Sequence, residues 1–130
     1  MATYLLDTSV IIDAFNNKRG RRELLLGLVR QGHLLACCPI NVTEVYAGMR
    51  PKEEQATEEF IRSLEYYHLT WPVARLAGLL KRGPSRKGTT VTVADATIAA
   101  VALMHELTLM TDNVKDFTMK ELTLYSFPIS

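Results

Sequence analysis

Hydrophobic and polar positions follow two alternating patterns along the chain. Short apolar segments of strand length recur, and they cover residues 3–6, 34–38, 67–70, 107–110 and 122–127. Between them, apolar residues are three or four positions apart, which is typical of helices. These stretches predict helices over residues 9–16, 21–30, 41–49, 51–65, 72–82 and 92–106. Strands that alternate with helices predict an α/β domain with a mainly parallel five-stranded sheet and helices on both faces.

The size and composition of the chain indicate one domain over residues 1–130. A length of 130 residues with 48% hydrophobic and 22% charged residues is enough for one core. Cys37 and Cys38 are neighbours in a predicted strand, so their side chains should point to opposite faces and form no disulfide. The N-terminus has no basic segment, and no apolar run reaches the roughly 18 residues of a membrane span. We therefore expect a cytoplasmic protein with no membrane partner.

Four carboxylates stand just beyond predicted strands or at helix starts. Asp7 follows the first strand and Asp112 the fourth, while Glu44 and Asp95 lie in early turns of helices. Because the carboxyl ends of parallel strands meet at one edge of a sheet, we expect these side chains to cluster there. Crowded carboxylates repel one another unless a cation neutralises them, and an all-oxygen set suits Mg²⁺ or Mn²⁺ better than Zn²⁺. Such ions can activate water for attack on a phosphodiester.

Helix capping is a competing explanation for two of these carboxylates. Residues 92–95 form a capping-box pattern, residues 41–44 nearly form one, and acids near helix N-termini are stabilising in any case. Capping therefore stays open for Glu44 and Asp95. Asp7 is harder to explain in this way, because a charge directly after a buried strand needs a partner at the strand end.

Four segments together resemble the motifs of PIN-domain nucleases, above all the VapC-like toxins of toxin–antitoxin pairs. The first is LLDTSVIID at residues 5–13, and the second is TEVYAG at residues 43–48. ADATIAA at residues 94–100 resembles the third motif, and residues 109–117 resemble the fourth. The four occur in family order over nearly the whole chain. The resemblance implies a PIN-like three-layer α/β/α sandwich and an Mg²⁺- or Mn²⁺-dependent endoribonuclease that forms homodimers and is inhibited by a small DNA-binding antitoxin.

The resemblance also implies a set of site residues. Asp7, Glu44 and Asp95 would be catalytic metal ligands, with a hydroxyl of Thr8 or Ser9 in support. The fourth motif departs from the family pattern, because Asn113 stands where many members have an acid. We place the fourth catalytic and metal-binding carboxylate at Asp112, since it directly ends the strand. The alternatives, which are also candidate supporting residues, are Asn113 and Asp116.

Basic and apolar patterns suggest two further surfaces. Eight of the fifteen Lys and Arg residues lie in residues 18–22 and 81–87. Positive charge at the start of the helix at residues 21–30 opposes the helix dipole, which suggests phosphate contact. RNA binding is expected at the second stretch, at Lys81, Arg82, Arg86 and Lys87. The alternative is two solvated surfaces. An antitoxin groove is expected at residues that could equally be core, namely Ile12, Phe15, Leu25 and Leu28.

Two rival functions fit the same fold class. A non-catalytic PIN-like domain that binds a partner would explain the fold without chemistry. A phosphorylated receiver domain is also doubly wound, but it needs paired acids after the first strand and a lysine after a late strand. Residues 7–9 and 111–113 supply neither.

Overall fold

A computed structural model describes residues 1–83 and 91–128. Five strands are present in this part of the chain: β1 Thr3–Leu6, β2 Leu34–Cys37, β3 Glu65–Tyr66, β4 Thr108–Met110 and β5 Thr123–Leu124. The α-helices are α1 Thr8–Phe15, α2 Arg21–Arg30, α3 Pro39–Gly48, α4 Glu54–Arg62, α5 Trp71–Arg82 and α6 Val93–Met104. Two short 3₁₀ turns cover Pro51–Glu53 and Val114–Asp116.

The five strands form one sheet in the order β3-β2-β1-β4-β5, and every neighbouring pair is parallel. Leu5 in the central strand β1 pairs with Ala36 of β2 on one side and with Leu109 of β4 on the other. The strands β2 and β3 lie on one side of β1, and β4 and β5 lie on the other, so the strand order reverses at β1. In parallel sheets a crevice opens at such a switch, outside the carboxyl ends of the strands, so a site is expected beyond β1 and β4.

Alternating side chains of the strands build two separate cores. Leu5 and Leu109 point into one core with α5 and α6, whereas Leu6 and Met110 point into the other with α1 to α4. The sheet therefore lies between two helical layers, as the three-layer expectation requires. Cys38 and Cys37 fall on these opposite faces and are free thiols, as predicted. Burial raises the pKa of Cys37 to about 11, so this thiol is unreactive.

Three helices begin earlier than their sequence patterns predict, and one of them, α5, does so by a single residue, at Trp71. α1 starts at Thr8 because the Asp7 carboxylate, not Ser9, caps it. α3 starts at Pro39 instead of Asn41, with the proline in the first turn, where its missing N–H is no loss. The second strand accordingly ends at Cys37, and Cys38 becomes the N-cap of α3.

The segment between α3 and α5 also differs from the prediction. The long helix expected over residues 51–65 is a 3₁₀ turn followed by α4, which ends at Arg62. The third strand lies at Glu65–Tyr66 and not at residues 67–70, because those residues instead lead into the Thr70 cap of α5. Within the described residues, no helix is both long enough and apolar enough to cross a membrane.

Candidate active site

Asp7 is the buried centre of the polar cluster beyond β1. Only 6% of its surface is exposed. Its Oδ1 accepts a hydrogen bond from the backbone N–H of Thr8 at 2.9 Å, and its Oδ2 accepts one from the hydroxyl of Thr111 at 2.7 Å. Burial raises the pKa of Asp7, these two hydrogen bonds lower it, and the charges of Glu44 and Asp112 raise it again. The resulting pKa of Asp7 is above the usual value, because burial outweighs the two hydrogen bonds.

Glu44 is joined to β1 through Thr8 and Asn41. The hydroxyl of Thr8 donates to Glu44 Oε1 at 2.6 Å and accepts from Asn41 Nδ2 at 3.1 Å. Asn41 is fully buried, and its Oδ1 also accepts from the backbone N–H of Cys38 at 2.8 Å. The capping explanation for Glu44 is therefore wrong, because Asn41 takes that role in α3 and leaves Glu44 exposed beside Thr8.

Asp95 stands in the first turn of α6 with its side chain partly buried. The backbone N–H of Asp95 donates to Thr92 Oγ1 at 3.0 Å, so Thr92 is the cap. Within the described residues, the return bond from the N–H of Thr92 that would complete a capping box is not formed. Burial raises the pKa of Asp95, the Thr92 hydroxyl lowers it, and the charges of Asp7, Asp116 and Glu44 raise it. Asp95 therefore lies within electrostatic reach of the cluster.

Asp112 is paired with arginines of the same chain. Its Oδ1 lies 2.6 Å from Nη2 of Arg21 and 3.6 Å from Nη1 of Arg19. Its Oδ2 is buried and has no hydrogen-bond partner in the described part of the chain. Asn113, an alternative for the fourth position, donates its backbone N–H to the Thr111 hydroxyl at 3.0 Å. The turn after β4 thus orders Thr111, which holds Asp7.

The donor set fits a hard divalent cation that keeps part of its water shell. Burial, and after it the charges of neighbouring carboxylates, raise the pKa values of Asp7 and Asp95. Among residues 1–83 and 91–128, no three His, Cys, Asp or Glu side chains are close enough to hold a metal alone. Mg²⁺ commonly binds one or two carboxylates, with waters and substrate phosphates as its other ligands. Two direct carboxylates with others acting through water would satisfy it here.

Arg21 and Arg22 at the start of α2 are engaged within the protein, whereas Lys18 and Arg19 are exposed, so the phosphate contact expected at this stretch stays a prediction. Arg22 donates to the carbonyls of Ala14 and Phe15, the last residues of α1. Arg19 pairs with Asp13 at 3.2 Å in addition to Asp112. Positive charge at this helix start is therefore offset by the carboxylates and by the C-terminus of α1.

The remaining expected site residues are a second hydroxyl near Asp7 and four basic residues at and after the end of α5. Ser9 Oγ is buried and makes no hydrogen bond within the described residues, so Thr8 supplies the hydroxyl contact. Lys81 and Arg82 are exposed in the last turn of α5, where they complement the helix dipole. Arg86 and Lys87 lie outside the described residues.

An apolar groove of about 540 Å³ opens beside α2 and α4. Phe15 and Leu25 line it, as expected, but Ile12 borders a smaller neighbouring cavity. Leu28 is buried in the same core as Leu25 but does not line the groove, which corrects its expected place there. Residues not foreseen in the lining include Leu26, Val29, Leu34, Phe60 and Leu64.

Comparison with known protein families shows to which family the chain belongs. The family model described as PIN domain matches residues 4–118, which is most of the chain. The chain belongs to the PIN-domain family. Ribonuclease VapC19 of Mycobacterium tuberculosis is 30% identical over 115 residues, which cover 88% of this chain and 92% of that protein. The resemblance seen in the four sequence motifs is confirmed.

Solved structures show the same PIN fold. VapBC2 from Rickettsia felis, crystallised with a DNA fragment from the promoter, aligns with a TM-score of 0.80 at 23% identity, covering 97% of this chain and 99% of that one. A toxin–antitoxin complex from Klebsiella pneumoniae aligns with a TM-score of 0.76 at 26% identity, with the same coverage of each chain. The α/β/α sandwich predicted for this PIN domain is confirmed.

Proposed function

We propose that this PIN domain is a metal-dependent endoribonuclease, and that it is the toxin of a toxin–antitoxin pair. The observation that carries the proposal is the buried Asp7 carboxylate at the switch point of the sheet, with its pKa raised in part by the charge of Glu44. A buried acid among other acids destabilises the metal-free fold, so its presence is best explained by a bound cation. The relative named as a ribonuclease supports RNA as the substrate.

Asp7, Glu44 and Asp95 are the proposed carboxylates of the Mg²⁺ or Mn²⁺ site, two of them as direct ligands and the third through water. The fourth carboxylate is better assigned to Asp116 than to the sequence-based choice, Asp112. Besides burial, the charge of Asp116 raises the pKa of Asp95 and that of Asp112 raises the pKa of Asp7, but one oxygen of Asp112 is already engaged by Arg21. When bound, the ion would lower the pKa of a water and offset the negative charge that builds on the phosphate.

The chain's own groups orient this site. The Thr111 hydroxyl and the Thr8 N–H hold both oxygens of Asp7, which fixes the direction of the carboxylate. Asn41 fixes the Thr8 hydroxyl, which in turn holds one oxygen of Glu44. Within the described residues the other oxygen of Glu44 makes no hydrogen bond, so it can face a ligand or an attacking water. No side chain needs to form a covalent intermediate with the RNA.

RNA contacts are proposed at the end of α5 and just after it. Lys81 and Arg82 are exposed there, and Arg86 and Lys87 follow in the sequence. Their positive charge would attract the phosphate backbone without reading the bases.

The proposed partner is a small antitoxin that occupies the apolar groove beside α2. Leu26 and Val29 are 42% and 52% exposed there, which is unfavourable for apolar side chains unless a partner covers them. The comparison structures that contain antitoxins support this partner. A homodimer, expected from the family resemblance, stays a prediction that sedimentation velocity would test.

A non-catalytic partner-binding domain is the second candidate. It is favoured by the finding that no three potential ligands in the described residues stand at metal-binding distance from one another. The groove would serve such a domain equally well. The two candidates differ in whether RNA is hydrolysed.

Cleavage of a mixed RNA pool in Mg²⁺ or Mn²⁺ and in EDTA tests the proposal. We expect metal-dependent products with linear phosphate ends, because water is the nucleophile. Glu44→Gln should lower the rate by more than tenfold, since loss of even indirect metal contacts typically costs about 10–100-fold. Glu59→Gln, an exposed glutamate of α4, is the matched control and should leave the rate unchanged. A cyclic phosphate end would contradict the water mechanism, and cleavage equally fast in EDTA would contradict the metal.

A further inference from the structure

The guanidinium of Arg21 lies between the turn after β4 and the C-terminal segment. Its Nη2 donates to Asp112 at 2.6 Å, and its Nη1 donates to the carbonyl of Arg19 at 3.2 Å. Its Nε is buried without a hydrogen-bond partner in the described residues. The side chains of Arg21 and Asp112 are only 14% and 15% exposed. Hydrogen bonds thus hold Nη1 and Nη2 of Arg21. The planar face of the guanidinium can be held only by a packing contact.

Phe127 supplies that support. Its ring centroid lies 3.9 Å from Cζ of Arg21, which is the geometry of a cation–π contact. The ring is itself held edge-on by Tyr125, with centroids 5.3 Å apart, and Tyr125 packs in the same way against Tyr4 of β1. The backbone N–H of Tyr125 donates to the carbonyl of Leu109, so the segment is attached to β4.

The other end of this chain of contacts reaches the candidate site. Asp112 directly follows Thr111, whose hydroxyl donates to Asp7. The charge of Asp112 also acts on Asp7. A displaced Arg21 would leave Asp112 unneutralised beside Asp7 and would loosen the turn that directs the Thr111 hydroxyl.

We infer that Phe127 and Arg21 are positioning residues for the active site, which act through Asp112 and Thr111 on the orientation of Asp7. The inference rests on the proposed ribonuclease function and extends it to the C-terminal segment. Neither side chain needs to touch the RNA. Loss of the aromatic face should therefore change the rate of the chemical step and leave substrate affinity alone.

The test compares three variants with the parent in RNA cleavage and in thermal unfolding. Phe127→Leu keeps the apolar bulk and removes the π face, whereas Phe127→Tyr keeps the ring. Leu122→Ala is the matched control, because Leu122 is also near the C-terminus but packs against the core on the other face of the sheet. We expect kcat to fall about three- to tenfold in Phe127→Leu, because this factor corresponds to the free energy of one cation–π contact. KM should be unchanged.

Phe127→Tyr should keep the parent kcat, and Leu122→Ala should lower the melting temperature without lowering kcat. In EDTA, the NMR resonance of the Arg21 Nε–H should shift in Phe127→Leu, because the ring current is lost, and not in Leu122→Ala. An active parent whose kcat is unchanged in Phe127→Leu, or falls equally in Leu122→Ala, would overturn this inference alone. A parent that cleaves no RNA would overturn the proposed function and this inference with it.

Discussion

The surroundings of Asp7 act on its pKa in two opposing ways. Its carboxylate caps α1 and accepts a bond from Thr111, which favours the ionised form. Burial and the neighbouring charges of Glu44 and Asp112 oppose ionisation, and they prevail. A side chain that only capped a helix would need no acidic neighbours. The raised pKa of Asp7 therefore supports the proposed binding of a cation beside it.

The raised pKa of Asp7 predicts how stability depends on pH without metal. The folded-state pKa lies above the unfolded value, so this group's contribution is fully present below about pH 4. It is lost as pH rises through the raised pKa, because the unfolded chain ionises more readily. In EDTA, the parent should therefore lose stability relative to Asp7→Asn as the pH rises from 3.5 to 7.

Urea unfolding of both proteins at several pH values measures this difference. Exposed Glu59→Gln is the control and should track the parent at every pH. A difference between the parent and Asp7→Asn that is constant over the range would contradict the pKa shift.

Elements whose bounds depend on local spacing could be predicted from the sequence, and those that depend on tertiary contacts could not. α2 occupies Arg21–Arg30 as expected, because its apolar stripe and its neighbouring glycines are local signals. β3 was misplaced by two residues. Its pairing of Ala36 with Glu65 is set by the position of β2, which no short window of sequence contains.

The candidate site was predictable as a set of acids but not as a network. Asp7, Glu44 and Asp95 stand out because strand ends and helix starts can be located from the pattern. Asn41 was missed as a site residue because it was assigned to the start of α3. Pro39 was the available signal, since a proline in the first turn places Asn41 two residues into the helix, where its side chain can turn back to Cys38.

The double role of Asn41 predicts a coupled loss of stability and activity. Asn41→Ala leaves the buried N–H of Cys38 without a partner, which costs about 1–3 kcal/mol. It also releases Thr8, so Glu44 loses its orientation and cleavage should fall at least several-fold. Val73→Ala is the control, because it removes buried volume under α5 away from the site. Chemical denaturation and initial rates measure the two effects, and equal rates in both variants would contradict the role of Asn41.

At the scale of the whole molecule, the proposed catalytic site and the proposed partner groove lie in different regions. The carboxylates lie beyond the ends of β1 and β4, whereas the apolar groove runs beside α2 and α4. The ordered motifs in the sequence indicated the fold and the site. The groove was only partly predictable, because Leu25 and Leu28 look alike in a helical pattern. Both are buried core residues, and only the packing decides that Leu25 borders the groove and Leu28 does not.

This separation predicts that partner binding can be removed without loss of activity. Leu26→Lys combined with Val29→Lys places two charges in the groove at exposed positions, so the melting temperature should change little. RNA cleavage should be unchanged, but the variant should no longer co-purify with a co-expressed antitoxin of the proposed kind. Leu79→Lys, an equally exposed leucine on α5, is the control and should retain the antitoxin. Equal retention by the groove variant would contradict the assigned surface.

The most direct test of the account is the rate of RNA cleavage in Mg²⁺ by Asp95→Asn compared with Thr92→Ala. Thr92→Ala removes the cap of α6 and should cost about 1 kcal/mol of stability while leaving the carboxylates in place. Asp95→Asn removes a proposed metal ligand. We predict that its rate falls by well over tenfold, while its stability in EDTA is equal to or above that of the parent, because like-charge repulsion is relieved. Full activity in Asp95→Asn, or an equal loss in Thr92→Ala, would contradict a metal-dependent nuclease centred on these carboxylates.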